Sequence, residues 1–164
     1  MYGQQGSFGR DFGLAVLASL VVATASLLGQ ISTYPNLAPW YANLAKPWFN
    51  PPDWIFGPVW TLLYVLMAFA NWRILRLPPS SDRTRALSLF FGQLALNAAW
   101  SWMFFAAHSA LLGLIDIIPQ LALIIITAAA FYRIDRIAGL SLIPLAAWVG
   151  YAILLNFAIW RLNS

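Results

Sequence analysis

Of the chain's 164 residues, 62% are hydrophobic and 9% charged, and the mean hydropathy is +0.74; that balance excludes an ordinary soluble domain and makes the bilayer the natural solvent. Cysteine is absent, which excludes disulfides, a thiol nucleophile and thiolate metal ligation. The net charge of +4 comes without a basic patch in soluble structure, so no nucleic-acid partner is expected.

The length fits a single membrane domain, residues 12–161, with no soluble module attached. Residues 1–11 are Gly- and Gln-rich and read as a flexible N-terminus. The apolar run that follows is too long and too poorly flanked to be only a signal peptide, so residues 12–31 form a first, retained span. Residues 32–53, rich in Pro, Asn and aromatics, form a loop. The second span covers residues 54–75, and Pro78, Pro79, Ser80, Ser81 and Asp82 make a hydrophilic turn. Spans three to five are placed at residues 83–106, 110–132 and 138–161. The break between the third and fourth is marked only by His108, Ser109 and Gly113, because no charge lies between Ala86 and Ile115. Pro119 falls inside the fourth span, where it is expected to kink the helix. Crossing a bilayer takes roughly 20 helical residues. The reading is an all-α membrane protein, a five-transmembrane-helix bundle.

Alternating spans put Arg10, Arg73, Arg76, Arg83, Arg85, Arg133 and Arg136 on one side and only Lys46 and Arg161 on the other. Positively charged loops stay cytoplasmic, so the N-terminus is expected in the cytoplasm and the C-terminus outside.

Polar groups among apolar helices are the candidate sites. Gln93, Asn97, Trp100 and Phe104 follow i, i+4, i+7 and i+11, so they share one face of the third span. Two amides and two large aromatics on one stripe suit either a cavity wall or interhelical hydrogen bonding, worth roughly 0.6–2 kcal/mol per contact. The second span offers Trp60 and Tyr64 at i, i+4, and the fifth offers Trp148 and Ala152, with Asn156 beside them. Each pattern fits a wall of the same cavity or ordinary core packing. Of the nine tryptophans, those near span ends suit the interfacial aromatic belt, whereas Trp60, Trp100 and Trp148 lie deeper. Asp116, the one carboxylate deep in a span, is expected to face the bundle, to be protonated or to sit near the interface. His108 has no metal-binding companions, and no metal site is expected. The segment from Trp40 to Pro52, stiffened by Pro47, Pro51 and Pro52, reads as a lid over the outer mouth or as a rigid interfacial plug.

Several motifs now stand together: Trp40-Tyr41-x-x-Leu44-x-Lys46-Pro47 with Pro51-Pro52, Val59-Trp60-x-x-Leu63-Tyr64, Gln93-Leu94-Ala95-Leu96-Asn97-x-x-Trp100-Ser101, Phe104-Phe105, Asp116, Pro144-x-x-x-Trp148, Leu155-Asn156 and Trp160-Arg161. In order and spacing they resemble the tryptophan-rich sensory protein / translocator protein family, also called peripheral-type benzodiazepine receptors. That resemblance implies a five-helix bundle, usually a homodimer, with a ligand pocket beneath the first loop. It implies porphyrin ligands such as protoporphyrin IX, together with synthetic isoquinoline carboxamides and benzodiazepines. The family's pocket residues correspond to Trp60, Trp148 and Asn97, with Tyr41, Trp48, Tyr64, Gln93, Trp100 and Ala152 nearby. Some bacterial members are reported to break porphyrins down in light through the two tryptophans matching Trp60 and Trp148.

Conventional acid–base or nucleophilic machinery is missing, so any chemistry here is photochemical or radical. No cofactor is expected beyond porphyrin as ligand or substrate. The expected function is therefore a membrane receptor or sensor for porphyrins, with light-dependent degradation or lipophile transport as alternatives. No inverted repeat is detectable, which argues against an alternating-access carrier. Phe157 and Ala158 stand where animal members have tyrosines, so strong cholesterol binding is not expected. Small residues Gly92, Ala95, Ala99 and Ala106 on the third span suit either a dimer interface or packing within the chain.

Overall fold

The computed structural model describes residues 3–164, with side chains from residue 8 onward. Its helices are α1 (Gly3–Thr33), α2 (Phe56–Leu75), α3 (Ser81–Ser101), α4 (Ala110–Ile134), α5 (Arg136–Leu140) and α6 (Ile143–Leu162). With the short helical turns that extend them, they give five segments long and apolar enough to cross a bilayer: Phe8–Tyr41, Asp53–Leu75, Ser81–Ala106, Ala110–Ile134 and Arg136–Leu162. The protein is thus an all-α, five-span bundle and an integral multi-pass membrane protein.

Three boundaries differ from expectation: the loop expected from residue 32 opens with short helical turns, Tyr34–Asn36 and Leu37–Tyr41, that prolong the first span, and two further differences have identifiable causes. α1 is already helical at Gly3, so it takes in part of the stretch expected to be flexible; Met1 and Tyr2 lie outside the described residues. No proline interrupts that stretch, and extending an existing helix adds a hydrogen bond for each residue ordered. The fifth span is broken, with α5 ending at Leu140 and α6 starting at Ile143. Pro144 explains the break, because a proline ring collides with the carbonyl four residues back, here that of Leu140. Pro119 stops nothing, since α4 runs through it from Ala110 to Ile134.

The helix ends are capped by their own sequence. Ser80 Oγ accepts from Arg83 N–H at 3.1 Å, Ser109 Oγ from Leu112 N–H at 3.2 Å, and Asp135 Oδ1 from Ala138 N–H at 3.1 Å. The last turn of α2 is closed from outside, where the Arg83 guanidinium donates to the carbonyls of Ile74 (3.1 Å) and Leu75 (2.8 Å). Arg73 then joins Asp135 at 2.8 Å, tying α2 to the corner between α4 and α5.

α1 packs on α2 and α3, α3 on α4, and α4 on α6. α2 meets α5 at the arginine-rich end, but its backbone does not approach α6 comparably beyond it. That end is filled by Ala70, Ile74, Ala86, Phe90, Phe131, Ala138 and Leu142, all essentially inaccessible. Phe90 and Phe131 stack there at 5.7 Å and 19°. Toward the other end the divergence of α2 from α6 leaves a hollow.

Candidate ligand chamber

The hollow is a cavity of about 600 Å3, mostly apolar, within the range of small-molecule sites. α2 contributes Trp60, Thr61 and Tyr64; α3 and its continuation contribute Asn97, Trp100, Phe104 and Phe105. α4 supplies Ile117 and Gln120, and α6 supplies Trp148, Ala152 and Asn156. Tyr41 and Ala42 roof it from the loop.

Two tiers of indole can be told apart by hydrogen bonding. Trp100 is pinned: its Nε1–H donates to Asn156 Oδ1 at 3.1 Å, Asn156 Nδ2 donates to the Ala110 carbonyl at 2.6 Å, and its ring stacks on Phe104 at 5.0 Å and 17°. It is fixed wall. Trp60 and Trp148 make no hydrogen bond with described residues through their indole N–H. Trp60 leans on Tyr64 (5.4 Å, 31°) and Trp148 meets the edge of Phe56 (5.9 Å, 72°). Tyr64 OH donates to Asn97 Oδ1 at 3.0 Å, which orients that amide and leaves Nδ2 without a described partner. The chamber therefore offers aromatic faces plus a few unspent donors, the combination that holds a flat amphiphile by stacking and fixes its orientation.

Trp40 and Tyr41 pack against the continuation of α3 and the turn that follows it. Trp40 packs edge-on to Phe104 at 5.4 Å and stacks on the His108 ring at 4.8 Å and 13°. His108 Nε2 lies 2.7 Å from Asn36 Oδ1, so this histidine fastens the loop to the α3–α4 turn, where it adopts φ 50. On the other flank, Tyr151 OH donates to the Phe49 carbonyl at 2.6 Å. Asn163 grips Ala45 in both directions, accepting from its N–H and donating to its carbonyl at 2.9 Å each. Lys46 Nζ sits 4.3 Å from the Tyr41 ring centroid.

Of the residues singled out from the sequence, the cavity gathers Tyr41, Trp60, Tyr64, Asn97, Trp100, Phe104, Trp148 and Ala152. Trp48 and Gln93 stand apart. Trp48 is 95% exposed, its ring edge-on to Phe49 at 5.5 Å; in a nonhelical loop no periodicity announces which way a side chain turns. Gln93 shares the α3 face but lies a turn below the floor set by Asn97, buried with both amide atoms unpartnered among the described residues. Asp116 faces the bundle interior, 3% exposed and likewise unpartnered, while its neighbours Ile117 and Gln120 reach the cavity wall.

The α1 wall was missed by sequence reasoning. Ser26, Gly29, Gln30 and Thr33 line the chamber, and Ser26, Gln30 and Thr33 at i, i+4 and i+7 carried the same periodic signal that exposed the α3 stripe. Gly29 sits close to α3, since a Cβ there would come within 3.1 Å of Ser101 Oγ. Asn163 and Tyr151 left no local pattern, because their partners lie over a hundred residues away in sequence.

A five-span bundle enclosing an aromatic, ligand-sized chamber under a docked loop defines a class of small integral membrane proteins. Comparison narrows it: the TspO/MBR family profile matches residues 15–161, and the chain belongs to that family. It is 38% identical to the tryptophan-rich protein TspO of Archaeoglobus fulgidus over 149 residues, covering 91% of this chain and 96% of that protein. It is 42% identical to the protein of the same name from Chlorobaculum tepidum over 131 residues (79% and 83%), and 34% identical to the translocator protein of Sus scrofa over 152 residues (92% and 90%).

Proposed function

We propose that the protein is a membrane receptor or sensor that binds porphyrins of the protoporphyrin IX type in this chamber and takes part in tetrapyrrole regulation or transport. The observation that carries the reading is the pairing of two unpinned indoles, Trp60 and Trp148, with the oriented amide of Asn97 around about 600 Å3 of apolar space. A planar macrocycle stacks on the indoles and meets the free N–H groups at its edge, while Lys46 offers a cation near the mouth for its carboxylates. The names of relatives, which include tryptophan-rich sensory protein and translocator protein, accord with sensing or moving a ligand. The test is saturable quenching of tryptophan fluorescence by protoporphyrin IX. Trp148→Ala and Asn97→Ala should each weaken it about ten-fold, equivalent to about 1.4 kcal/mol. Unchanged affinity in both would remove the site.

The same two indoles favour a second reading, light-dependent porphyrin breakdown with Trp60 and Trp148 as electron donors to the excited macrocycle. Illumination in air should yield product with the wild-type protein and far less with Trp60→Phe and Trp148→Phe. Equal yield in all three would make the protein a bystander. The reading extends to a homodimer, to be checked by the mass of the detergent-solubilised particle, and to a cytoplasmic arginine-rich end, to be checked by labelling cysteines introduced at either end in intact cells.

A further inference from the structure

A second cavity, open to the outside of the bundle, lies at the arginine-rich end where the fifth span breaks. About 460 Å3 in volume, it is walled by Ala129 and Tyr132 of α4, Gly139 and Leu140 of α5 and Ile143 of α6, with Arg133 among its lining residues. Its shape follows from the sequence. Gly139 lets α5 press onto α4, since a Cβ there would lie 2.5 Å from that of Tyr132. The break that Pro144 forces after Leu140 separates α5 from α6 and parts the wall between them.

The charges around this groove are unbalanced. Arg133 and Arg136 are exposed, and neither forms an ion pair or hydrogen bond with a described residue. Arg136 stays near the groove, its guanidinium carbon 5.8 Å from the Tyr132 ring centroid. Asp135, between them in sequence, is already committed to Arg73 at 2.8 Å and to the cap of α5. Arg10, Arg76, Arg83 and Arg85 add positive charge at the same end, against Asp11 and Asp82.

An apolar slot between membrane-spanning helices, headed by two guanidinium groups without a described anionic partner, complements one class of molecule. We propose that the groove binds a single anionic phospholipid, an acyl chain lying along Ala129, Leu140 and Ile143 and the phosphate held by Arg133 and Arg136. Guanidinium groups match phosphate bidentately, and basic pockets between spans are suited to anionic headgroups. A zwitterionic headgroup brings its own cation and gains less from this pair. A soluble phosphate leaves the slot unfilled. The site is separate from the ligand chamber and stands whether or not the chamber takes porphyrin.

The test titrates the detergent-solubilised protein with phosphatidylglycerol carrying a fluorescent tail, and with phosphatidylcholine carrying the same tail. Phosphatidylglycerol should bind one saturable site about thirty-fold more tightly than phosphatidylcholine, as expected for two arginines near a headgroup. Arg133→Gln combined with Arg136→Gln should abolish that preference. Ala129→Trp, which fills the slot and keeps the charges, should weaken phosphatidylglycerol by a similar factor. Arg76→Gln combined with Arg85→Gln removes two charges from the same end away from the groove and should leave binding within two-fold. Thermal unfolding of each variant confirms that it is folded. The proposal is overturned if the two double variants behave alike, which would mean a diffuse basic surface, or if both lipids bind equally. It is also overturned if glycerol phosphate competes as well as the lipid does, or if Ala129→Trp alters only self-association, which would assign the groove to a second copy of the chain.

Discussion

The two ends of this bundle are built from the same helices and solve opposite problems. At the arginine-rich end the backbones converge, small residues such as Ala70, Ala86 and Ala138 let them approach, and Phe90 and Phe131 fill what remains. Between helices in lipid, association relies on such close packing, because acyl chains are as apolar as leucine and supply no hydrophobic drive. At the other end α2 and α6 diverge and large aromatics line the space without closing it. That end is held from above, by the hydrogen bonds that Asn163, Tyr151 and His108 make with Ala45, Phe49 and Asn36 of the loop segment. One end is rigid because it is full. The other is shaped because it is tied.

If that contrast is right, perturbing one end should leave the other's property intact. The largest effect is expected from Phe90→Ala, which opens a cavity in the packed end and should cost about 3–5 kcal/mol of stability. Denaturation in mixed detergent micelles measures it, and porphyrin affinity of the folded fraction should stay within about two-fold. Trp148→Ala should show the inverse, the loss of porphyrin affinity of about ten-fold, or about 1.4 kcal/mol, with a smaller change in unfolding midpoint than Phe90→Ala. Comparable destabilisation by both would abolish the distinction.

Asp135→Asn tests the corner that joins α2 to α4 and α5. Burial alone would raise this carboxyl, but the hydrogen bonds from Arg73 and the backbone of Ala138, with the Arg73 charge, hold it below its ordinary value. A depressed acid contributes stability above its unfolded pKa, about 3.9, and loses it as pH falls through the folded value. The variant should therefore be less stable by about 1–2 kcal/mol near neutral pH, and the gap should narrow once pH falls below about 4. A gap that persists at acid pH would show that charge is not the cause. Trp48→Ala should do least: with its side chain 95% exposed, neither porphyrin affinity nor unfolding midpoint should move. A marked loss of affinity would place Trp48 over the mouth in the ligand-bound state.

Much was legible before any coordinates. Hydropathy counted the spans, because a bilayer demands helices of roughly one length whose backbone bonds are all satisfied within the segment. Periodicity grouped Asn97, Trp100 and Phe104 on one face, because side chains four apart stack along a helix. The same rule brought Gln93 along with them, yet a stripe does not say where along its length a cavity stops. Three-dimensional packing alone decided that Trp100 is pinned by Asn156 while Trp60 and Trp148 keep their donors free. It alone made His108 and Asn163 fasteners of the loop, and left Trp48 outside. Period and hydropathy are local properties of one helix, and so the sequence by itself determined the spans and their inward faces. Cavity depth, hydrogen-bond partners separated by half the chain and the orientation of a loop residue depend on how helices diverge from one another, and those belonged to the tertiary structure.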